Sequence, residues 1–265
     1  TLLVKMLPEK QIKEIREELL NCKKPLFFFD DDADGLSSFL LLYRHIREGN
    51  GIAVKTMPKI DEKFLRKVEE YQPDKIFVLD IAQVEQDFID NAKVPIIWID
   101  HHSPYERTGN IKYFNAILIN KNLFLPTTRI CYEVVKQDLW IAMVGCVGDY
   151  YMPDFFNEFK KKYNDLIGDA KNAEDIYFNT RFGELVDLFS FILKGKTSDV
   201  ARYIKVLTRI REPYEILNQE TLQGRFIFKK YISTEKGLYN FDSKKLKLPV
   251  LGPLFRKVAI AKFSR

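Results

Sequence analysis

The sequence predicts an α/β fold, a doubly wound and mainly parallel sheet, followed by a largely helical region and a short or incomplete C-terminal domain. Three observations predict it. Residues 25–29, 75–79 and 95–99 are almost wholly apolar runs, the pattern of parallel strands buried on both faces. Amphipathic stretches at helical spacing separate them. Each run ends in carboxylates or imidazoles, at 30–34, 80 and 100–102, the edge where open parallel sheets place their ligands.

The elements follow in order. Ile12, Ile15, Leu19 and Leu20 recur at helical spacing among charged residues, which predicts a helix over 10–20. A strand at 25–29 leads through an acidic turn into a helix at 36–47. A short strand at 52–56 and a helix at 61–71 come next. Strands at 75–80 and 95–100 flank a helix at 84–92. Beyond Lys112 the pattern turns helical, at 127–136, 139–147, 155–163, 182–193, 198–210 and around 214–231. Residues 242–265 are basic, with Leu, Pro and Val interleaved, and carry no clear period. The expected organisation is an α/β catalytic domain over 1–150, a helical extension over 151–232 and a C-terminal segment over 233–265.

Composition narrows the function classes. The chain has 265 residues, 46% hydrophobic and 30% charged, ordinary for a globular protein. No apolar run reaches the roughly 18 residues of a membrane span, and residues 1–10 lack the pattern of a secretion signal. Three cysteines, Cys22, Cys131 and Cys146, form no CxxC pair. That argues against a zinc knuckle and for buried thiols in a reducing, cytoplasmic compartment. The net charge of +5 is compatible with a polyanionic partner.

Four features carry chemistry. Asp32 and Asp34 in Asp32-Ala33-Asp34-Gly35 fall on one face of an extended strand end, and the glycine permits a sharp turn into the next helix. An acidic turn that caps that helix is the plainer reading. Asp80 ends an apolar strand, where it is a metal-capable group or a cap for the following helix. Asp100-His101-His102 ends another; imidazole is a frequent ligand for Mn, Fe, Co or Zn. Two adjacent histidines on a straight strand suit one ligand plus one donor facing the substrate. Gly145-Cys146-Val147-Gly148-Asp149 ends a small-residue helix in a carboxylate, which opposes the helix dipole and favours a functional role.

In order and spacing these four features resemble the DHH phosphoesterase superfamily over roughly residues 25–150. Asp32, Asp34 and Gly35, followed by Ser37 and Ser38, match its DxDG motif. Asp80 matches its strand-terminal Asp, Asp100-His101-His102 the DHH triplet, and Asp149 the Asp of its Gly-rich segment. Residues 32–38 and 126–149 look most like archaeal RecJ-type single-strand nucleases.

The resemblance implies a set of roles. Asp80 bridges two metal ions, Asp32 binds one of them, and Asp34, His101 and Asp149 bind the other. His102 touches the substrate phosphate, with Ser37, Ser38 and Arg129 as further substrate-binding candidates. Asp100 orients His101. Mixed carboxylate and imidazole ligation suits two Mn²⁺ ions, with Mg²⁺ as a substitute, holding the attacking and leaving oxygens of an in-line displacement. Two departures accompany it. Family members carry a His shortly before the first Asp, where this chain has Phe27, Phe28 and Phe29 followed by Asp30 and Asp31; either Asp30 is the replacement ligand, or the first metal binds weakly and activity is reduced. The family's Gly- and His-rich C-terminal substrate motif has no counterpart, since no His follows His102.

Three functions are consistent with these residues. One is a Mn²⁺-dependent exonuclease on single-stranded DNA or RNA, in repair or replication. Its binding surface would use Lys194, Lys196, Arg202, Lys205, Arg209 and Arg211, with Tyr203 and Tyr214 stacking bases; a solvated helix face is the alternative reading of that stretch. Another is a phosphoesterase for short oligonucleotides, cyclic dinucleotides or nucleotide bisphosphates. The third is a replication-complex scaffold with weak or no activity, with partners such as GINS.

Overall fold

The computed structural model describes residues 6–55, 59–234 and 237–239. After helix α1 (Glu9–Leu20), the chain alternates strands and helices: β1 (Pro25–Asp30), α2 (Ala33–Ile46), β2 (Asn50–Val54), β3 (Lys59–Ile60), α3 (Leu65–Tyr71) and β4 (Lys75–Leu79). Then come β5 (Gln83–Val84), α4 (Gln86–Ala92), β6 (Ile96–Ile99) and β7 (Ile111–Phe114). Five strands form one sheet in the order β2-β1-β4-β6-β7, and every neighbouring pair is parallel. The small β3–β5 pair lies apart from that sheet and is also parallel.

Strand periodicity divides the core in two. Phe27, Phe29, Phe77, Leu79, Ile97 and Ile99 face the cluster that contains α1 and α2. Leu26, Phe28, Ile76, Val78, Ile96 and Trp98 face the opposite cluster with Val68, Phe88 and Ile89. Successive side chains point to opposite faces, and helices cover both, so each run must be apolar at every position.

The remaining helices are α5 (Thr127–Val135), α6 (Leu139–Gly148), α7 (Phe156–Ile167), α8 (Ala173–Asn179), α9 (Gly183–Ile192), α10 (Thr197–Leu207), α11 (Pro213–Leu217) and α12 (Leu222–Ile232). Residues of α7 to α12 join the same cluster as α1, α2, α5 and α6. The structure differs from the sequence reading in several places. Strand β7 stands where no strand is expected; Ile111 and Tyr113 are half-exposed, Lys112 between them is exposed and Phe114 alone is buried, so it lacks the continuous apolar run of a central strand. Helix α8 is also additional. The stretch around 214–231 is two helices, the second capped by the Thr221 side chain, which accepts from Gly224 N. Helix α2 starts at Ala33, three residues before the expected Leu36, because Asp32 caps it. The basic stretch 242–265, and with it most of the expected C-terminal segment, lies outside the described residues.

Small residues set how closely α6 approaches α2. A Cβ on Gly145 would lie 2.2 Å from Thr128 Oγ1 and 2.8 Å from Ser37 Cβ, and one on Gly148 would lie 2.9 Å from Ala33 Cβ. That close approach carries Asp149, at the end of α6, next to the start of α2. Gly145→Ala is therefore expected to destabilise the fold by about 1–3 kcal/mol through overpacking, read as a lower midpoint in chemical denaturation.

Candidate metal centre

The carboxyl ends of β1, β4 and β6 lie side by side, and each delivers a polar group to one place. After β1 the chain turns straight into α2. Asp32 is its N-cap and accepts from Gly35 N at 2.9 Å. Asp34 sits in the first helical turn and is fully buried. The two aspartates therefore meet across a helix cap rather than along an extended strand. Gly35 is required there, because a Cβ would lie 2.6 Å from Asp30 O.

Asp34 is held from α5. Its two carboxylate oxygens accept from Thr127 N at 2.8 Å and Thr128 N at 2.7 Å. These are unpaired donors of the helix N-terminus, which favours an anion. Thr128 Oγ1 also donates to Asp34 O at 2.9 Å. Asp80 follows β4 with φ of 60°, a left-handed conformation costly for a residue other than glycine and concentrated at functional sites. It is buried, and its Oδ1 accepts from Thr127 Oγ1 at 3.3 Å.

His101 is the hub of the cluster. Its Nε2 lies 3.1 Å from Asp80 Oδ1, 3.3 Å from Asp149 Oδ2 and 3.9 Å from Asp34 Oδ2. Burial, with His102 beside it, pushes its pKa down to about 4, so the ring is neutral and has a lone pair to offer. The carboxylates move the other way. Burial first, then mutual repulsion, raises Asp34 to about 7, Asp149 to about 9 and Asp80 well above the usual range. Asp30 rises to about 7 through burial and the nearby Asp32.

Three groups have ligand atoms within 4.8 Å of one another: Asp34, His101 and Asp149; Asp30, Asp32 and Asp80; and Asp80, His101 and His102. The donor set fits divalent cations. It gathers hard carboxylate oxygens around a neutral imidazole, and the buried Asp149 Oδ2 has no hydrogen-bond partner among the described residues. Buried anions this close demand a counter-charge, and no Lys or Arg is paired with Asp34, Asp80 or Asp149 among the described residues.

His102 stands apart from His101 in role. Its Nδ1 lies 2.7 Å from Asp100 Oδ1, and its backbone N donates to Asp100 Oδ2 at 3.0 Å. Tyr113 Oη donates to the same carboxylate at 3.2 Å, and Asn115 Nδ2 donates to His102 O at 2.8 Å. The Asp100 hydrogen bond raises the His102 pKa above its ordinary value. Asp100 thus orients His102, not His101 as the resemblance implied. Asp100→Asn is expected to lower the pH at which His102 loses its proton, measurable by NMR titration of the ring C–H signals.

The other sequence candidates are placed differently. Arg129 is only 4% exposed. Its guanidinium is fixed by Asp154 at 2.8 and 2.9 Å and by Glu133 at 2.8 Å, so it braces α5 and is not free for a phosphate. Ser37 and Ser38 are fully buried, and Ser38 Oγ pairs with Thr128 Oγ1 at 3.2 Å; they support the α2–α5 contact without reaching solvent. Tyr203 stacks on Phe226, and Tyr214 donates to Asp165 at 2.7 Å; both are only partly exposed. The basic stretch is also split. Lys194 pairs with Asp31 at 2.8 Å at the start of α2, whereas Arg209 and Arg211 line a cavity of about 540 Å³ with Arg44 and Arg47 at its far end. Sequence reasoning did not reach Thr127, Thr128, Tyr113 or Asn115. The single local signal was Pro126 ahead of two threonines at a helix start.

Comparison with known proteins agrees with this architecture. Residues 26–154 match the DHH family, N-terminal domain. No curated protein matches the chain in sequence. Among solved structures, the DHH domain of a member of a family of ribosomal proteins is similar, at a TM-score of 0.54 and 13% identity, over 84% of this chain and 61% of that one. Exonuclease RecJ bound to manganese is similar at 0.49 and 14%, over 91% and 69%. CDC45 from Entamoeba histolytica follows at 0.42 and 15%, over 88% and 56%. The chain thus spans about three fifths of the ribosomal-family and CDC45 chains. Residues 26–154 are thus similar to the N-terminal domain of the DHH family, and the four motifs and nearly all of the parallel sheet of this chain fall within that match.

Proposed function

We propose that this protein is a two-metal phosphodiesterase that hydrolyses single-stranded nucleic acid, with Mn²⁺ as the preferred ion and Mg²⁺ as a substitute. The position of Asp80 carries the reading. It groups with Asp30 and Asp32 on one side, and on the other its Oδ1 lies 3.1 Å from Nε2 of His101, the imidazole of the Asp34–Asp149 group, as a carboxylate shared between two ions must. In this assignment Asp34, His101, Asp149 and Asp80 hold one ion, and Asp32, Asp80 and Asp30 hold the other. Asp30 takes the place of the imidazole that the family carries upstream. Bound there, the ions would supply Lewis-acid stabilisation of a phosphoryl group and activation of water near neutral pH.

The chain's own groups do the rest. Thr127 N and Thr128 N hold both oxygens of Asp34, which fixes the direction of that carboxylate. Asp100 occupies Nδ1 of His102, and the same hydrogen bond favours the protonated ring, whose Nε2–H would donate to a phosphate oxygen. Lys194, anchored on Asp31, places a cation at the rim.

The test is hydrolysis of 5′-labelled single strands, as DNA and as RNA, with Mn²⁺, Mg²⁺ or EDTA, beside dinucleotides of the same composition. The reading expects Mn²⁺-dependent cleavage of the long strands. Cleavage of dinucleotides alone would replace it with the small-substrate reading, and no cleavage of either would leave the scaffold.

A further inference from the structure

Exposed aromatic rings adjoin the metal centre. Phe124 is 47% exposed, and its ring lies edge-on to that of His101, 5.2 Å away. Tyr150, the residue after Asp149, is 51% exposed, and Phe178 is 62% exposed. The rings of Tyr150 and Phe178 lie 6.1 Å apart at an interplanar angle of 29°. Tyr177 backs both, 4.7 Å from Phe178 and 5.9 Å from Tyr150, and is itself pinned by its hydroxyl on Asp187 at 3.0 Å.

Tyr150 is an expensive choice for its place in the backbone. Helix α6 ends with Tyr151 N donating to Cys146 O at 2.9 Å and Tyr150 N to Val147 O at 3.0 Å. That is the paired closure in which the residue after the cap adopts a left-handed conformation, usually as glycine. Tyr150 occupies it at φ of 54°. Glycine would end the helix with less strain, so helix termination does not account for the ring. Burial does not account for it either, since half of the residue faces solvent.

We propose that Tyr150 and Phe178, with Phe124 at the centre itself, form a stacking platform for the bases of a single strand whose backbone enters the metal centre. The inference rests on the reading of that centre as one acting on nucleic-acid phosphodiesters. Each nucleobase offers a π-face to a ring regardless of sequence, and a duplex keeps those faces covered. Continuity with the centre argues for bases over an apolar peptide: the rings begin at His101 and at the residue next to Asp149.

The test uses the full chain with Mn²⁺ and two phosphorothioate-linked single strands of equal length. One carries bases, including 2-aminopurine, and the other is abasic. The wild type is expected to bind the base-bearing strand about tenfold or more tightly and to quench the 2-aminopurine fluorescence. Tyr150→Gly, which the turn tolerates, and Phe178→Ala are each expected to weaken that binding by roughly 5- to 100-fold and to leave abasic binding unchanged. Equal binding of the two strands by the wild type, binding of neither, or an unchanged preference in both variants would overturn the platform. Base-dependent binding without cleavage of an unmodified strand would sink the nuclease reading and keep the platform. Cleavage without base dependence would do the reverse. Displacement of the strand by an apolar peptide from the Tyr150–Phe178 surface, with no aminopurine quenching, would assign the rings to a protein partner and also overturn it.

Discussion

Asp80→Asn is expected to lower Mn²⁺-dependent hydrolysis on the order of 10³-fold while making the metal-free protein more stable. The loss follows from the assigned role. A carboxylate shared by two ions contributes to both, and several kcal/mol of transition-state stabilisation correspond to about three decades in rate. The gain follows from burial. Asp80 is driven well above its ordinary pKa by desolvation and by Asp34, Asp32, Asp149 and Asp100, so the native fold carries an unfavourable charge that asparagine removes. Asparagine has the same shape, and its Oδ1 still accepts from Thr127 Oγ1. Hydrolysis rates in Mn²⁺ and thermal melts in EDTA read the two effects separately. Full activity in the variant would remove Asp80 from the centre, and a lower melting temperature in EDTA would give it a purely structural role.

Without metal, the wild type is expected to lose stability as pH rises from about 5 to 9, by roughly 5–10 °C in Tm. Asp34 is raised to about 7 and Asp149 to about 9, whereas the unfolded chain titrates them near the ordinary value of about 3.9. Between those limits the native state holds more protons than the unfolded state, so stability falls as pH rises. The contribution is complete below about pH 4 and lost once pH passes the folded values. Divalent ions displace those protons, so Mn²⁺ is expected to flatten the pH dependence and to bind more tightly at higher pH. Thermal melts from pH 5 to 9, with Mn²⁺ and with EDTA, check both. A metal-free Tm that climbs with pH would contradict the account.

What could be read from sequence depended on how local the cause was. Strands β1, β4 and β6 were legible because covering both faces of a parallel sheet leaves no polar position in runs such as Leu26–Phe29. Edge strand β7 was not, since half-exposed residues around Lys112 give no such run. Helix α8 carried a usable signal, Asn172 ahead of Glu174 and Asp175, but only Ala173 and Ile176 are buried, which leaves the apolar period faint. In the site, Asp32, Asp34, Asp80, His101, His102 and Asp149 stood out as polar groups ending apolar elements, and the fold brings them together. Their supports did not. Thr127 and Thr128 act on a carboxylate more than ninety residues away, and nothing nearby in sequence marks a backbone donor. Arg129 and Tyr203 were read by chemical type, and their partners Asp154 and Phe226, like the threonines, lie too far along the chain to be read beside them: Asp154 fixes the guanidinium and Phe226 stacks on the ring.

Calorimetric titration of the metal-free protein with Mn²⁺ tests the central claim most directly. The account predicts two ions per chain in the wild type and the loss of at least one in Asp80→Asn, with the variant still folded. No Mn²⁺ uptake by the folded wild type, or the same stoichiometry and affinity in both proteins, would contradict a two-ion centre built around Asp80.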